Sequence, residues 1–420
     1  MLAAGRSSAH VWLRRVNFEL VWLRLRRLKR QPSLRNLLVS QYFITQEAVM
    51  DSLYQIADTS QIISPALIVF RELLEDNLRR MIEIAKRPDR LRPHCKTHKT
   101  REIARMELDR GIIKHKCATF AEAEMLADVG IRDIFLAYNL VGPNIRRAVE
   151  FLQRYPEVTL CVTADHPRSI ALLGEAMQAA GKAIEVLLDI DVGQHRTGVP
   201  VGPTAKELYR QIASTLGLRA GGFHVYDGHQ HQESRDERRE AVLAEFRKVQ
   251  TFRDELVRDG LSIPRLVSGG TASFPIYAEI DDPTIELSPG TCVLNDIGYS
   301  EHFPDLVFPP AAVMLTRVVS RPAPDRVTLD LGYKAVASDP PAGKRVSFPA
   351  LPDAVQVLQN EEHLVLQTAR AEEFQPGDEL IAIPRHVCPT CALHRQIFVI
   401  AGGKLVDRWD VVSRDRWITI

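Results

Sequence analysis

From residue 64 to residue 290 the chain repeats one unit, a short apolar run followed by a helical pattern, and this alternation restricts its fold more than any other feature. The runs are SPALIVF (64–70), LRPHCKTH (91–98), KHKCAT (114–119), DIFLAY (133–138), TLCVTAD (159–165), IEVLLDID (184–191), GGFHVYDG (221–228), RLVSGG (265–270) and TIELSPG (284–290). Segments such as LEDNLRRMIEIAKR and AEAEMLADVG lie between them, with apolar residues at three-and-four spacing. Parallel neighbours need a crossover, so strict alternation predicts a parallel sheet. The near-continuous apolar run IEVLLDI predicts burial on both faces. Doubly wound and barrel folds both satisfy this pattern. Eight units close a βα barrel, so one of the nine runs is surplus, and 64–70 is the expected outlier, pairing instead with a second domain. Beyond residue 310 the rhythm changes to period two with Pro and Gly punctuation. The expected architecture is α/β: a (β/α)8 TIM-type barrel over 53–308, joined through FPDLVFPPAA to a mainly antiparallel β domain over 309–420.

Charge narrows the function classes. With 54 Lys+Arg against 53 Asp+Glu, the formal charge of +1 supplies no field to collect nucleic acid or an anionic membrane. No apolar run reaches the ~20 residues that span a bilayer, so no stable membrane association is expected. Six cysteines in 420 residues are too few for a disulfide scaffold and read as reduced, cytoplasmic chemistry. The exception is residues 1–52: between Met1 and Arg35 lie nine basic residues and a single acid, Glu19. Such a segment is a transit peptide, a membrane-surface helix or a nucleic-acid arm, or else a poorly ordered extension, or sequence translated from a start codon earlier than the real one, with Met50 as a plausible start; these last two together are the favoured reading.

In a βα barrel the reacting groups come from the C-terminal ends of strands. Lys96 closes the second run among His94, His98 and Lys99, a setting in which neighbouring charges can make a lysine nucleophilic. Ser268-Gly269-Gly270-Thr271 and Ser288-Pro289-Gly290-Thr291 end two later runs and offer bare backbone N–H groups to a phosphate. Arg196 lies where it can donate to an anionic ring oxygen, and Tyr226, His229 and His231 end another run. In the β domain, His386 and Cys388 at a spacing of two are expected on one side of an extended segment, a nitrogen and a sulfur suited to zinc. Two alternatives stand: a closed structural site that adds Cys391 and His394, or an open site with two protein ligands completed by substrate and water.

Taken together, R-P-H-x-K-T-H-K, D-x-G-x-x-R-T-G-V, Y-D-G-H, S-G-G-T, P-G-T and the late H-x-C-P-T resemble the D-serine dehydratase and D-threonine aldolase family, pyridoxal-phosphate enzymes of the alanine-racemase type of fold. The resemblance runs from about Leu53 to the C-terminus. It implies that Lys96 holds pyridoxal phosphate covalently, that Gly269, Gly270 and Thr271 bind its phosphate, and that Arg196 and Tyr226 flank it. It implies further that His386 and Cys388 bind a divalent metal, that the substrate is a D-amino acid, and that the protein is a homodimer.

Within the family the dehydratases carry His-x-Cys and the aldolases an Asp in place of that Cys. Thiolate at Cys388 favours zinc, with manganese the alternative. A zinc ion lowers the pKa of bound water from ~15.7 to ~7 and stabilises a departing hydroxide by up to ~12 kcal/mol, which suits β-elimination from D-serine or 3-hydroxyaspartate. Retro-aldol cleavage of D-threonine is the alternative reaction, and a non-catalytic pyridoxal-phosphate-binding protein with structural zinc is the second. Two residues depart from the pattern. Cys292 stands where an aromatic is expected beside the cofactor, and Arg385 precedes the metal histidine, where its charge would favour a substrate with a second carboxylate.

Overall fold

The computed structural model describes residues 53–420, and the basic segment 1–52 lies outside them. The first run forms β1 (Ala66–Phe70), every residue of it buried, and leads into α1 (Arg71–Ala85), whose buried stripe includes Leu74, Leu78 and Met81. Alternation then proceeds through α2 (Arg101–Asp109), β2 (Lys114–Cys117), α3 (Phe120–Val129), β3 (Asp133–Asn139), α4 (Pro143–Arg154), β4 (Thr159–Ala164) and α5 (Pro167–Ala179). It continues with β5 (Ile184–Ile190), α6 (Pro203–Ser214), β6 (Leu218–Val225), α7 (Arg235–Arg258), β7 (Leu266–Ser268), α8 (Phe274–Ala278) and β8 (Ile285–Leu287). Strands β2 to β8 pair in sequence order, all parallel, as seven neighbours in one sheet.

The expected strand over 91–98 does not form. Only Leu91 and His94 make bridges, to Leu287 in β8 and Lys116 in β2, and residues 95–98 turn. Pro93 has no N–H to give a ladder. Its carbonyl accepts from Lys116 N at 2.8 Å while Arg92 N donates to Leu287 O at 2.8 Å, so this short stave still joins the two edges of the sheet.

The second sheet uses β9 (Ala312–Ala323), β10 (Arg326–Leu329), β11 (Val346–Ser347), β12 (Val355–Gln359), β13 (Leu364–Gln367), β14 (Glu379–Pro384), β15 (Gln396–Ala401) and β16 (Lys404–Asp410). Strand β1 lies inside it, antiparallel to β9 with Leu67 opposite Met314 and parallel to β15 with Val69 opposite Val399. Two further helices, α9 (Ile297–His302) and α10 (Val387–Leu393), flank the end of the barrel's sequence and follow β14.

The N-terminal ends of the barrel strands are closed by paired charges. Arg92, fully buried, binds Glu286 and, at 2.8 Å, Asp133; Lys114 reaches Glu286 at 3.0 Å, and Arg265 reaches Glu185 at 2.8 Å. The Arg92 charge holds the Glu286 carboxyl down at about 2 against its burial. A depressed carboxylate contributes stability that is present above its unfolded pKa and lost as pH falls through about 2. Replacing Arg92 with Met leaves Glu286 buried without its main partner and should lower the unfolding free energy by about 3–5 kcal/mol. Urea unfolding at neutral pH checks this, and an unchanged midpoint would contradict it.

Candidate active site

Lys96 stands at the opposite, C-terminal end of the barrel. A tight turn lifts it there: His98 N and Lys99 N both donate to Cys95 O, at 3.2 and 3.0 Å, and Lys99 takes a φ of +58°. The turn is tied to the barrel by Cys95 N to Lys116 O at 2.9 Å and His94 N to Pro289 O at 2.7 Å. The cations around Lys96 are not those expected from its immediate neighbours. Lys99 turns away to form an ion pair with buried Glu122, and His98 is buried, its imidazole pushed down to about 4. Burial, followed by the charges of Lys96 and Lys116, holds His94 well below the ordinary imidazole range.

The added cation is Lys116, which the motif reading passed over. In a strand covered on both faces, Lys114 and Lys116 two apart must both point into the barrel. Lys114 joins the charge cluster below, and Lys116 lies above it with its Nζ 3.2 Å from His224 Nε2. His224 Nδ1 donates to Asp189 at 2.7 Å.

The other expected side chains gather around this point. Tyr226 follows β6, with Arg196 Cζ 4.9 Å and Lys116 Nζ 5.6 Å from its ring centroid. Arg196 arrives there because the loop after β5 folds back on the strand, with Asp191 N donating to Val199 O and Val199 N to Asp189 O. Gly198 permits this: at φ +92°, a Cβ there would lie 2.9 Å from Asp189 O.

Gly269 takes φ +78° with Ser273 Oγ and the Tyr277 ring 2.9 Å from where a Cβ would stand, and a Cβ on Gly270 would be 3.2 Å from the Tyr226 ring. Thr271 Oγ1 accepts from Gly290 N at 3.1 Å and Thr291 N at 3.0 Å, which locks the loops after β7 and β8 together. His231 lines a 520 Å³ cavity together with Tyr299 and His386. His229 lines a 450 Å³ cavity with Asp191 and His195, and His231 stacks on Phe303.

His386 and Cys388 lie on a helix start, not on an extended segment. His386 is the N-cap residue of α10, and Asp296 Oδ2 accepts from Val387 N at 3.0 Å, so β14 ends at Pro384 and the extended segment does not reach Cys388. The imidazole and thiol still meet. A hydrogen bond to Cys388 and the Asp339 carboxylate raise His386 to about 9, while His386 draws the Cys388 thiol down, both against burial. His386 Nδ1 donates to Asp339 Oδ2 at 2.5 Å, so its Nε2 faces the thiol. Cys388 Sγ is 3.2 Å from the Thr97 hydroxyl and 3.6 Å from that of Thr291, which places the pair beside the Lys96 turn.

The closed four-ligand alternative is not assembled: His394 Nε2 donates to Ala335 O at 2.7 Å, and burial keeps the Cys391 thiol protonated. Among the described residues, a tighter cluster of ligand atoms is His94, Cys95 and Glu122. That carboxylate is already taken by Lys99 and by Ala118 N, and burial raises the Cys95 thiol well above its ordinary range, so the cluster is satisfied without a metal.

Cys292 is buried against Met81 of α1, Sγ to Sδ 3.7 Å. Tyr299 of α9 comes instead within reach of Thr291 and Cys388, its phenol pushed up by burial. The Arg385 guanidinium binds Glu301 at 2.7 Å and Lys344 O at 2.7 Å, and it lines the 520 Å³ cavity with Tyr299 and His386.

Residues 71–294 match the family described as "Alanine racemase, N-terminal domain", and residues 311–400 that described as "Putative serine dehydratase domain". The chain is 32% identical over 361 residues to a D-threonine aldolase of Arthrobacter sp, covering 84% of this chain and 92% of that one. It is 25% identical over 372 residues to the D-threo-3-hydroxyaspartate dehydratase of Delftia sp., covering 83% and 96% of the two. The solved D-threonine aldolase of Filomicrobium marinum superposes with a TM-score of 0.78 at 28% identity, over 86% of this chain and 98% of that one. Its barrel, antiparallel sheet and sequence make this chain a member of the D-serine dehydratase and D-threonine aldolase family, within the alanine-racemase-like pyridoxal-phosphate lyases.

Proposed function

We propose that this protein is a pyridoxal-phosphate- and metal-dependent lyase of D-3-hydroxy amino acids, and that its leading reaction is β-elimination to a 2-oxo acid and ammonia. The observation that carries the reading is the His386–Cys388 pair beside the Lys96 turn. The residues fit both groups. For the cofactor, the Ser288 hydroxyl at the tip of β8 is buried without a partner among the described residues, and Gly270 leaves space beside Tyr226 that a Cβ would fill. For the metal, a thiolate and an imidazole nitrogen fixed by a carboxylate on its far side form a donor set suited to zinc, with manganese less so.

Pyridoxal phosphate supplies an electron sink for a carbanion at Cα, and the metal a Lewis acid for the β-oxygen. This chain's own residues do the rest. Lys96 would hold the cofactor, and its amine would take the Cα proton. Gly269, Gly270 and Thr271 would hold the phosphate, and Arg196 and Tyr226, in contact with each other, would flank the ring. His386 and Cys388 hold the metal, and Asp339 keeps the imidazole in the tautomer that binds through Nε2.

Retro-aldol cleavage is the second reading, supported by the 32% identity to the Arthrobacter aldolase. One substrate separates the two. The cofactor-loaded protein given D-threonine should release 2-oxobutanoate and ammonia, and a chelator should suppress them. Glycine with acetaldehyde would make the protein an aldolase, and release of neither pair would remove the lyase reading.

A further inference from the structure

Lys116 has no role in the reading above. It is 4% exposed, stands one residue from the end of β2 and reaches across the barrel to β6. Its hydrogen-bond direction follows from its partners. His224 and the Thr197 hydroxyl hold Asp189 below the ordinary carboxylate range despite burial, so Asp189 is an acceptor and His224 Nδ1 must donate to it. His224 is neutral, since burial and the Lys116 charge push it down, and its Nε2 is left to accept from the Lys116 amine. Asp189 and His224 thus fix the amine beneath the Tyr226 ring. A buried lysine normally carries a carboxylate partner, whereas this one has a neutral imidazole.

The charged groups facing Lys116 are Lys96, Asp189, Arg196 and Asp227. Asp189 accepts from His224, and Asp227 accepts from Ser273 at 2.7 Å through Oδ1, with burial raising its carboxyl above the ordinary value. Cations therefore outnumber available carboxylates, and burial, then the charge of Lys96, brings the Lys116 ammonium down to about 7. Such a floor favours a bound anion.

The order of substituents on pyridoxal phosphate says which anion. The phenolate oxygen neighbours the aldehyde-bearing carbon on the side opposite the phosphate arm. The Lys96 turn follows the 91–94 stave, which has β8 and then β7 on one side and β2 on the other. With the aldehyde carbon at Lys96 and the phosphate at the loop after β7, the phenolate falls on the β2 side. We infer that Lys116, positioned by Asp189 and His224, binds the phenolate oxygen of the cofactor from the barrel floor together with Arg196. This inference rests on the proposed cofactor.

The test compares pyridoxal phosphate with its analogue lacking the phenol oxygen, each titrated into the full cofactor-free chain and followed by absorbance and fluorescence quenching. Lys116→Met should weaken pyridoxal phosphate about tenfold or more while leaving the analogue within about twofold. Equal losses for both ligands would show a structural lysine only and overturn the inference. If the wild-type chain bound neither ligand, the cofactor reading itself would fail and this inference with it. Should the variant not fold, nitrogen-detected NMR of the wild-type lysine amines decides: pyridoxal phosphate should move the Lys116 titration to higher pH, and the analogue should not. Identical responses to the two ligands would overturn the inference.

Discussion

Lys96→Ala should abolish the visible absorption of covalently held pyridoxal phosphate and lower turnover of D-threonine by about 10⁴-fold, because one amine both anchors the cofactor and carries the Cα proton. Thermal stability should hardly change. Lys96 is half-buried at the tip of a turn whose hydrogen bonds are made by the backbone of Cys95, His98 and Lys99, and none of these needs its side chain. Absorbance spectra and product assays on the purified variant test both halves. A retained absorption band would mean that another lysine holds the cofactor, and Lys116 is the leading candidate, since its amine is buried at this end of the barrel.

Cys388→Ala separates the metal from the cofactor. The thiol lies against the Thr97 and Thr291 hydroxyls and shares a proton with His386, so its removal strips the pair of its only sulfur while leaving Lys96 in place. Turnover should fall about 10³-fold and lose its response to chelators, and the cofactor absorption band should remain. Bound metal, measured by elemental analysis, should fall with it. Full activity in this variant would remove the metal from the elimination reading. In the wild-type chain, chelation should cost turnover far more than stability, since among the described residues α10 is capped and held by Asp296 and Thr390 without help from a metal.

The apolar runs carried the barrel legibly, since strands covered on both faces cannot be other than nearly continuous in Val, Ile and Leu. Arg196, Tyr226 and the loops at 269–271 were also within reach, because strand ends converge in a barrel whatever lies between them. What escaped was set by contacts between distant positions. The 91–94 stave looked like a strand from Leu91 and Cys95, yet its pairing is limited by Pro93 and by neighbours near residues 116 and 287. Lys116 drew no notice in KHKC, because its partner His224 is 108 residues away. The helix at Val387 escaped for the same reason, since the carboxylate that accepts from its first N–H belongs to Asp296. The ion pair of Arg385 with Glu301 was out of reach in the same way, since the two lie 84 residues apart.

The position of β1 bears on how the chain can be made. Its ALIVF side chains emerge from the ribosome long before their partners, for β9 begins at Ala312, about 240 residues after β1 ends at Phe70, and β15 later still. At about 5–20 residues per second, synthesis leaves this fully apolar strand with two unpaired edges for roughly 12–48 s. The barrel can close in that interval, but the strand cannot be buried, so nascent chains should lean on chaperones during elongation and ribosome-stalled chains ending before Ala312 should aggregate through this segment.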